Sequence, residues 1–263
     1  MNRLASPRLD HHASRREDRN PIRFLLTFDD GPHANTPRVL NSLAENSIQP
    51  SIKALFFVQT RSPGGGGSWV GRFLMQREHR EGHVLGLHTA TPHGHISHTR
   101  MRPVELNQSL AQGIEDLATL TGRPVEFVRP PYWRFNEMTM RCYRTQGLSM
   151  VLSDLKAYDG INCGVHLIHR WNVRSQLRRI RARMAADRFP VVQGCAPLVA
   201  AFHDTNARTA AHLDEYLTVL LEEAVHAGFE VASRPFYDDA ADLAETARHY
   251  ASHRALQNGG QPR

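Results

Sequence analysis

An apolar run leads directly into two adjacent carboxylates in the stretch Phe24-Leu25-Leu26-Thr27-Phe28-Asp29-Asp30-Gly31-Pro32. The apolar and β-branched residues predict a buried strand over 24–28, which Gly31-Pro32 ends. In barrels and open α/β sheets, reacting groups collect at the carboxyl ends of the strands. Two neighbouring carboxylates are costly unless they take different roles, such as a metal ligand and a base. An Asx turn that ends the strand is the structural alternative.

Strand-like and helix-like segments alternate along the chain. Further strands are predicted over 52–58, 84–87, 125–128, 148–152, 198–202 and 229–232. Helices are predicted over 37–46 with Thr36 as N-cap, and over 69–80, 103–120, 137–146, 174–188 and 210–227. This alternation is typical of parallel βαβ units and predicts an α/β fold with one barrel-like domain. We expect that domain over 21–238, after a disordered basic arm (1–20) and before a polar, helix-prone tail (239–263).

The composition narrows the class of protein. The net charge is +6, and many of the positive charges lie between Arg170 and Arg188. Apart from Trp171, no aromatic residue interleaves with these arginines, so they indicate a solvated helix face rather than a nucleic-acid site. No apolar run is long enough to span a membrane, and residues 1–20 lack the apolar core of a secretory signal. We therefore expect a cytoplasmic protein without nucleic-acid partners or membrane spans, and the sequence does not indicate its oligomeric state.

Five predicted strands end in polar side chains that can take part in catalysis. These endings are Asp29/Asp30, the histidines from His88 onward, Arg129, Asp154/Asp159 and His203/Asp204. Parallel strands bring their carboxyl ends to one edge of the sheet, so the five endings predict one site. A carboxylate and two imidazoles suit Zn²⁺ or a similar divalent ion and leave positions open for water and substrate. A further Asp can act as a base, and a His on another strand as an acid.

The order of these motifs resembles that of the polysaccharide deacetylases (the NodB-homology domain, carbohydrate esterase family four). The similar segments are Thr27-Phe28-Asp29-Asp30-Gly31-Pro32, Ala54-Leu55-Phe56-Phe57-Val58, the segment 82–89, Arg129-Pro130-Pro131-Tyr132 and Phe202-His203-Asp204. The resemblance covers roughly residues 22–237. It implies a distorted (β/α)7 barrel and a metal-dependent hydrolase that removes an acyl group, usually acetyl, from an N- or O-acylated sugar or glycan.

The resemblance also implies a role for individual residues. The catalytic set would be Asp29 as general base, Arg129 as the residue that holds and tunes it, and His203 as general acid. On the substrate side, Tyr132 would help to form an oxyanion donor through its backbone N–H, and Trp133 is a candidate wall of the sugar groove.

The implied metal set starts with Asp30 and His88, and the metal would be Zn²⁺, with Co²⁺, Ni²⁺ or Mn²⁺ as alternatives. The family usually places a second histidine four residues after the first, where this chain has Pro92. We prefer His93 as the third ligand. His95 is the alternative, because an insertion before it would bring it into the expected place. His83 and His98 are interpreted as structural or exposed.

The fourth motif departs further from the family pattern. Residues 153–160 keep two acids but carry Lys156 and Gly160 in place of a third acid and of a groove-lining Trp. Trp133 or Trp171 would have to replace that wall, and a polymeric glycan is less favoured as substrate. Two alternatives therefore stay open. One is a hydrolase of another C–N bond, such as a small cyclic amide, and the other is a carbohydrate-binding relative that binds metal without catalysis.

Overall fold

Strands and helices alternate through the computed structural model, which describes residues 20–157, 159, 170–186 and 189–258. The strands in these ranges are β1 (Ile22–Asp29), β2 (Leu55–Gln59), β3 (Val84–Thr89), β4 (Phe127–Val128), β5 (Ser149–Met150), β6 (Leu155–Lys156), β7 (Ala196–His203) and β8 (Val231–Phe236). The α-helices are α1 (Thr36–Ala44), α2 (Trp69–Arg80), α3 (Pro103–Thr121), α4 (Glu137–Thr145), α5 (Arg170–Ala185), α6 (Ala207–His226) and α7 (Ala240–Asn258).

The sheet is an open half-barrel. Its strand order is β5-β4-β3-β2-β1-β7-β6, with β8 pairing to β1, and the pairs are parallel. The prediction of a single α/β domain with a distorted barrel is thereby confirmed. Sequence reasoning does not foresee β6, because a strand of two residues carries no detectable periodicity.

The central strand sets the register of the catalytic edge. β1 pairs with β7 over eight positions, from Ile22 opposite Ala196 to Asp29 opposite His203. On its other side β1 pairs with β2, where Asp29 lies opposite Phe57. The parallel register therefore brings the carboxyl ends of these strands to one edge, as the sequence predicts.

Successive residues of β1 point to opposite sides of the sheet. Phe24, Leu26 and Phe28 are buried in the cluster that includes the helices around the sheet. Leu25 belongs to a second cluster inside the half-barrel, with Leu55, Phe57, Phe127, Val151 and Val199 from other strands or their ends.

The helix α7 completes this inner core. The buried residues Leu243, Ala247, Tyr250 and Ala251 recur at the spacing of one helix face. Within the expected polar, helix-prone tail, α7 (Ala240–Asn258) therefore packs against the interior of the half-barrel. The overall polarity of 239–263 hides this narrow apolar stripe from a reading of composition.

The start of α1 differs from the prediction. Asn35, not Thr36, is the N-cap, and Thr36 is the first helical residue. Its Oγ1 accepts a hydrogen bond from the His33 N–H at 2.8 Å and donates one to Asp204. Thr36 thus connects α1 to the end of β7.

The arginine-rich helix α5 has the predicted solvated face, with Arg178, Arg179 and Arg181 exposed, and it also has a buried one. Val173, Leu177 and Ile180 bury one face of α5. Arg174 forms an ion pair with the fully buried Glu223 carboxylate, with Nε and Oε2 2.5 Å apart. Arg183 lies 3.0 Å from the equally buried Asp154. These arginines therefore compensate buried carboxylates.

Some of the predictions fall outside the described ranges. Residues 1–19 of the expected N-terminal arm and Gly160 of the fourth motif are among these. Within the ranges that are described, no helix combines the length and the apolar character needed to cross a membrane.

Glu78 on α2 is a buried acid without compensation. Its side chain is fully buried, and neither carboxyl oxygen has a hydrogen-bond partner among the described residues. Burial raises its pKa well above the usual value, and the nearby Asp204 carboxylate raises it further. Because the folded-state pKa is the higher one, Glu78 lowers the stability increasingly as the pH rises above its unfolded pKa, about 4.3.

We therefore expect Glu78→Met to be more stable than the wild type at neutral pH, by roughly 1–3 kcal/mol. Denaturant unfolding at pH 4, 6 and 8 measures this, and the difference should grow with pH. The control is Glu137→Met on α4, where the side chain is 80% exposed and a change of at most about 0.5 kcal/mol is expected. A difference between Glu78→Met and wild type that stays constant with pH would contradict the raised pKa.

Candidate metal and catalytic site

Asp29, the last residue of β1, is held by a buried arginine. Arg129 follows β4, is fully buried, and places its Nη1 2.8 Å from Asp29 Oδ1. The same Nη1 donates to Thr27 Oγ1 at 2.5 Å, and Nε donates to the Val151 carbonyl oxygen at 2.9 Å. The guanidinium also lies over the Phe57 ring, 4.3 Å from its centroid. These contacts fix the carboxylate of Asp29 in one orientation.

The next residue turns its carboxylate to different partners. Asp30 has φ 71°, in the left-handed region that Asp tolerates better than most residues. Gln59 at the end of β2 supports this turn, because its side chain donates to the Asp30 carbonyl oxygen at 2.9 Å. Its backbone N–H donates to the Gly31 carbonyl oxygen at 2.8 Å. The two adjacent acids therefore separate, as different roles require.

Asp30 lies against two histidines. Its Oδ1 is 3.1 Å from His88 Nε2 and 3.3 Å from His95 Nε2, and the two nitrogens are 2.9 Å apart. These three groups offer ligand atoms within 4.8 Å of one another, and they form the candidate metal cluster among the described residues.

The donor set fits a divalent cation. His88 Nδ1 is 2.8 Å from the Arg129 carbonyl oxygen, which can only accept, so Nδ1 carries the proton and Nε2 presents its lone pair. Among the described residues the buried Asp30 Oδ1 has no hydrogen-bond donor, although an imidazole nitrogen of each histidine lies within 3.3 Å. Two imidazole nitrogens and a carboxylate oxygen converge as a cation would require.

The ionisation of these groups favours the same interpretation. Burial alone would raise the pKa of Asp30, but the contact with His88 and the positive charge that His88, His95 and His203 can carry hold it well below its usual value. Burial lowers the pKa of His95 to about 4, with help from His88. At neutral pH the pair is therefore a carboxylate and a neutral imidazole.

The third position of the cluster differs from the sequence prediction. We preferred His93, but the structure brings His95 to Asp30 and His88, while His93 is exposed in a turn. The loop after β3 places Gly94 with φ 75° between them, and the Thr91 hydroxyl donates to the Gly94 carbonyl oxygen at 2.9 Å. This turn directs only the later histidine into the site, and counting residues along the chain does not reveal it.

Tyr132 supports His95 from the other side. It follows β4 with φ 59°, and its ring stacks on the His95 ring with centroids 4.3 Å apart. Its hydroxyl donates to the His95 carbonyl oxygen at 2.9 Å. The predicted role of its backbone N–H stays a prediction, whereas this contact of the side chain is one that the motif alone does not indicate.

Two other histidines have structural surroundings, in agreement with their interpretation from sequence. His98 is buried and its Nδ1 lies 2.7 Å from the Tyr143 hydroxyl. His83 is buried, and its Nδ1 accepts a hydrogen bond from the Ala54 N–H at 3.2 Å. Burial lowers the pKa of each imidazole to about 3, so both are neutral in the folded protein.

His203, at the end of β7, forms a pair with Asp159. His203 Nδ1 is 2.7 Å from Asp159 Oδ1, and the His203 backbone N–H donates to Oδ2 at 2.8 Å. Thr209 donates to the same Oδ2 at 2.6 Å, so the carboxylate is held from three directions. The other imidazole nitrogen, Nε2, is 3.9 Å from Asp30 Oδ2.

This arrangement keeps His203 protonated. Burial by itself would lower the pKa of His203, but the hydrogen bond and charge of Asp159, with the charges of Asp29 and Asp30, raise it to about 9. The imidazolium therefore presents an acidic N–H on the side of the metal cluster. Of the two acids in the predicted strand ending Asp154/Asp159, Asp159 is the one that pairs with His203. Asp154 instead binds Arg183 and Arg254, each through Oδ1.

Trp133, one of the two candidate walls, lies beside His203. The Trp133 ring stands edge-on to the His203 ring, at 82° and with centroids 6.1 Å apart. Trp171 at the start of α5 is 77% exposed. Lys156, one of the departures in the fourth motif, places its Nζ 4.1 Å from the centroid of Trp133.

Comparison with known proteins identifies the family. The family model described as polysaccharide deacetylase matches residues 16–151, which is just over half of the 263 residues. The chain therefore belongs to the polysaccharide deacetylase family. The matched range includes Asp29, Asp30, His88, His95 and Arg129.

Individual relatives are more distant. A chitin deacetylase from Pestalotiopsis sp. is 27% identical over 139 residues, which is 53% of this chain and 44% of that protein. A peptidoglycan-N-acetylglucosamine deacetylase from Bacillus cereus is 30% identical over 135 residues, 50% of this chain and 44% of that protein. The chain thus spans less than half the length of these curated relatives.

The fold is shared with solved structures. The chitin deacetylase from the fungal pathogen Colletotrichum lindemuthianum superposes with a TM-score of 0.61 and 20% sequence identity. The match covers 81% of this chain and 85% of that one. At this identity the likeness shows the fold alone.

The geometry predicts which histidine variant loses metal. We expect His95→Ala to bind Zn²⁺ far more weakly than wild type, by more than the 10- to 100-fold lost when a hydrogen-bond partner of a metal ligand is removed. His93→Ala, the matched control two residues away, should bind it with near-native affinity because its side chain is exposed. Isothermal titration of both purified variants with Zn²⁺ measures this, and a loss confined to His93→Ala would overturn the assignment.

Proposed function

We propose that this protein is a metal-dependent deacetylase. It hydrolyses the amide or ester bond that joins an acyl group, acetyl in the first instance, to an N- or O-acylated sugar. One observation carries the proposal. The cluster of Asp30, His88 and His95 is accompanied by an arginine-held carboxylate, Asp29, which adjoins Asp30 in the chain, and by the imidazolium of His203, whose Nε2 is 3.9 Å from Asp30 Oδ2. Membership of the polysaccharide deacetylase family supports it. The names of the two curated relatives, which refer to chitin and to N-acetylglucosamine of peptidoglycan, favour the amide of an acetylated amino sugar.

Asp30, His88 and His95 would hold the cation, and their carboxylate and imidazole donors favour Zn²⁺, with Co²⁺, Ni²⁺ or Mn²⁺ as alternatives. When bound, a divalent cation supplies Lewis-acid chemistry that polarises a carbonyl oxygen and acidifies water. The residues of the chain provide the rest of the chemistry. The Arg129 carbonyl oxygen orients His88 as a metal ligand by its contact with Nδ1. The stacked ring of Tyr132 orients His95.

Asp29 is the proposed base. Its carboxylate is oriented by Arg129, which Val151 and Thr27 hold in turn. A carboxylate fixed beside the metal cluster can take the proton of the attacking water without first reorganising.

His203 is the proposed acid. Its proton on Nδ1 is engaged by Asp159, so the proton on Nε2 is the one available to a leaving group. The high pKa keeps this proton in place at neutral pH, and Asp159 stabilises the charged ring before the transfer.

A panel of substrates tests the function directly. We expect the zinc-loaded protein to release acetate from N-acetylated amino sugars or from O-acetylated sugars, and Asp29→Asn to lose this activity while it still binds Zn²⁺. Acetate release and metal content are measured on the same samples. Hydrolysis of a cyclic amide instead would favour the alternative hydrolase, and metal binding without any hydrolysis would favour a non-catalytic relative.

The role of His203 is tested by the leaving group. An amine leaves poorly without a proton, whereas an activated phenolate leaves without one. We expect His203→Ala to slow acetate release from an N-acetyl sugar by roughly 10²–10⁴-fold, and release from an aryl acetate much less. The control His93→Ala should leave both rates near wild type. An equal loss on both substrates would mean that His203 is not the acid.

A further inference from the structure

Lys156 at the end of β6 is a cation that the proposed mechanism does not use. The chain contains two lysines against thirty arginines, and Lys156 is the one at the site. Its backbone is held by one side-chain amide, because its N–H donates to Gln176 Oε1 at 2.9 Å and its carbonyl oxygen accepts from Gln176 Nε2 at 3.0 Å. In the part of the chain that the structure describes, its ammonium has no carboxylate partner within ion-pair distance.

The position of this ammonium is set by Trp133. Nζ lies 4.1 Å from the centroid of the indole, whose ring stands edge-on to His203. A single aromatic ring therefore separates the free cation from the proposed acid. β6 is one end of the open sheet, and Trp133 follows β4 near the other end. The contact spans the open side of the half-barrel, at the rim of the catalytic edge.

Other charged groups at this edge already form ion pairs. Arg129 is paired with Asp29, and His203 with Asp159. Lys156 is half-buried, and its pKa is lowered first by burial and then by the Arg129 charge, against an opposing effect of Asp29. A partly desolvated cation without a counterion is unfavourable, and an anionic ligand would relieve that cost. The indole covers one side of the ammonium and leaves its other N–H donors available.

We propose that Lys156 binds an anionic substituent of the sugar, a carboxylate or a phosphate ester, and so selects anionic acylated sugars over neutral ones. This inference rests on the proposed function of the site. Lys156 is a specificity residue in this account, since it contacts the substrate away from the reacting bond. An arginine at the same place would keep the charge, and a methionine would keep most of the volume without it.

Three matched substrates test the selection: an N-acetylated amino sugar that carries a carboxylate substituent, its neutral methyl ester, and the corresponding phosphate ester. We expect wild type to prefer at least one of the anionic sugars in kcat/KM. Lys156→Met should lose roughly 10- to 100-fold on that sugar, the worth of a charge-assisted hydrogen bond, and change little on the methyl ester. Lys156→Arg should keep the preference. Lys53→Met is the control, because Lys53 lies before the start of β2 and its ammonium is already engaged by the Glu81 carbonyl oxygen at 2.8 Å.

Salt provides a second measurement. Raising the ionic strength should lower kcat/KM for the preferred anionic sugar in wild type and not in Lys156→Met, because screening acts on the charge pair. If Lys156→Met loses the same factor on the anionic and neutral sugars, the lysine only positions Trp133 and the proposal is wrong. A wild type without preference for either anionic sugar would also overturn it.

Binding without turnover separates this inference from the proposed function. Reductive ¹³C-methylation keeps the charge of a lysine and gives NMR signals from the two lysines, which Lys53→Arg and Lys156→Arg assign. We expect the Lys156 signal to shift with an anionic sugar and not with the methyl ester. Such a shift in a protein that releases no acyl group would contradict the deacetylase and leave the anion site standing. Acyl release without the shift would support the deacetylase and contradict the anion site.

Discussion

Arg129 places a fully buried guanidinium against the carboxylate of Asp29 at the centre of the catalytic edge. Its side chain also donates hydrogen bonds to Thr27 of β1 and to the carbonyl oxygen of Val151. Its own carbonyl oxygen accepts a hydrogen bond from His88 Nδ1. One residue therefore orients the proposed base and sets the tautomer of a proposed metal ligand. A buried ion pair of this kind is costly to break, roughly 3–5 kcal/mol when one partner is removed. The geometry of both halves of the site depends on it.

Most buried acids near this edge are compensated in the same way as Asp29, because each carboxylate has its own cationic or hydrogen-bond donor partner. Asp159 holds His203, and Asp154 holds the side chains of α5 and α7. Asp204 is the contrast: burial raises its pKa to about 7, although the Thr36 hydroxyl opposes the shift. Glu78 has no hydrogen-bond partner in the described residues. Asp204 and Glu78 therefore remain costly to bury, whereas the acids with charged partners are compensated.

The loop after β3 and the turn after β4 depend on each other. His95 enters the cluster because the Gly94 turn directs it there and because Tyr132 stacks on its ring. The left-handed φ values of Tyr132 and Trp133 send these neighbours to different sides, one to the metal cluster and one to His203. A short turn with two residues in an unfavourable conformation therefore connects the candidate metal cluster, His203 and Lys156.

The sequence by itself determined the α/β class, the alternation of strands and helices, and most polar residues of the site. It could do so because buried strands, helix caps and polar strand ends are local patterns that survive in one dimension. The tertiary structure alone decided that His95 rather than His93 completes the cluster, that Asp159 rather than Asp154 pairs with His203, and that α7 fills the half-barrel. Each of these depends on the direction of a side chain after a turn or on a contact between segments far apart in the chain. Backbone conformation and long-range packing set those directions, and neither is recorded in the spacing of residues.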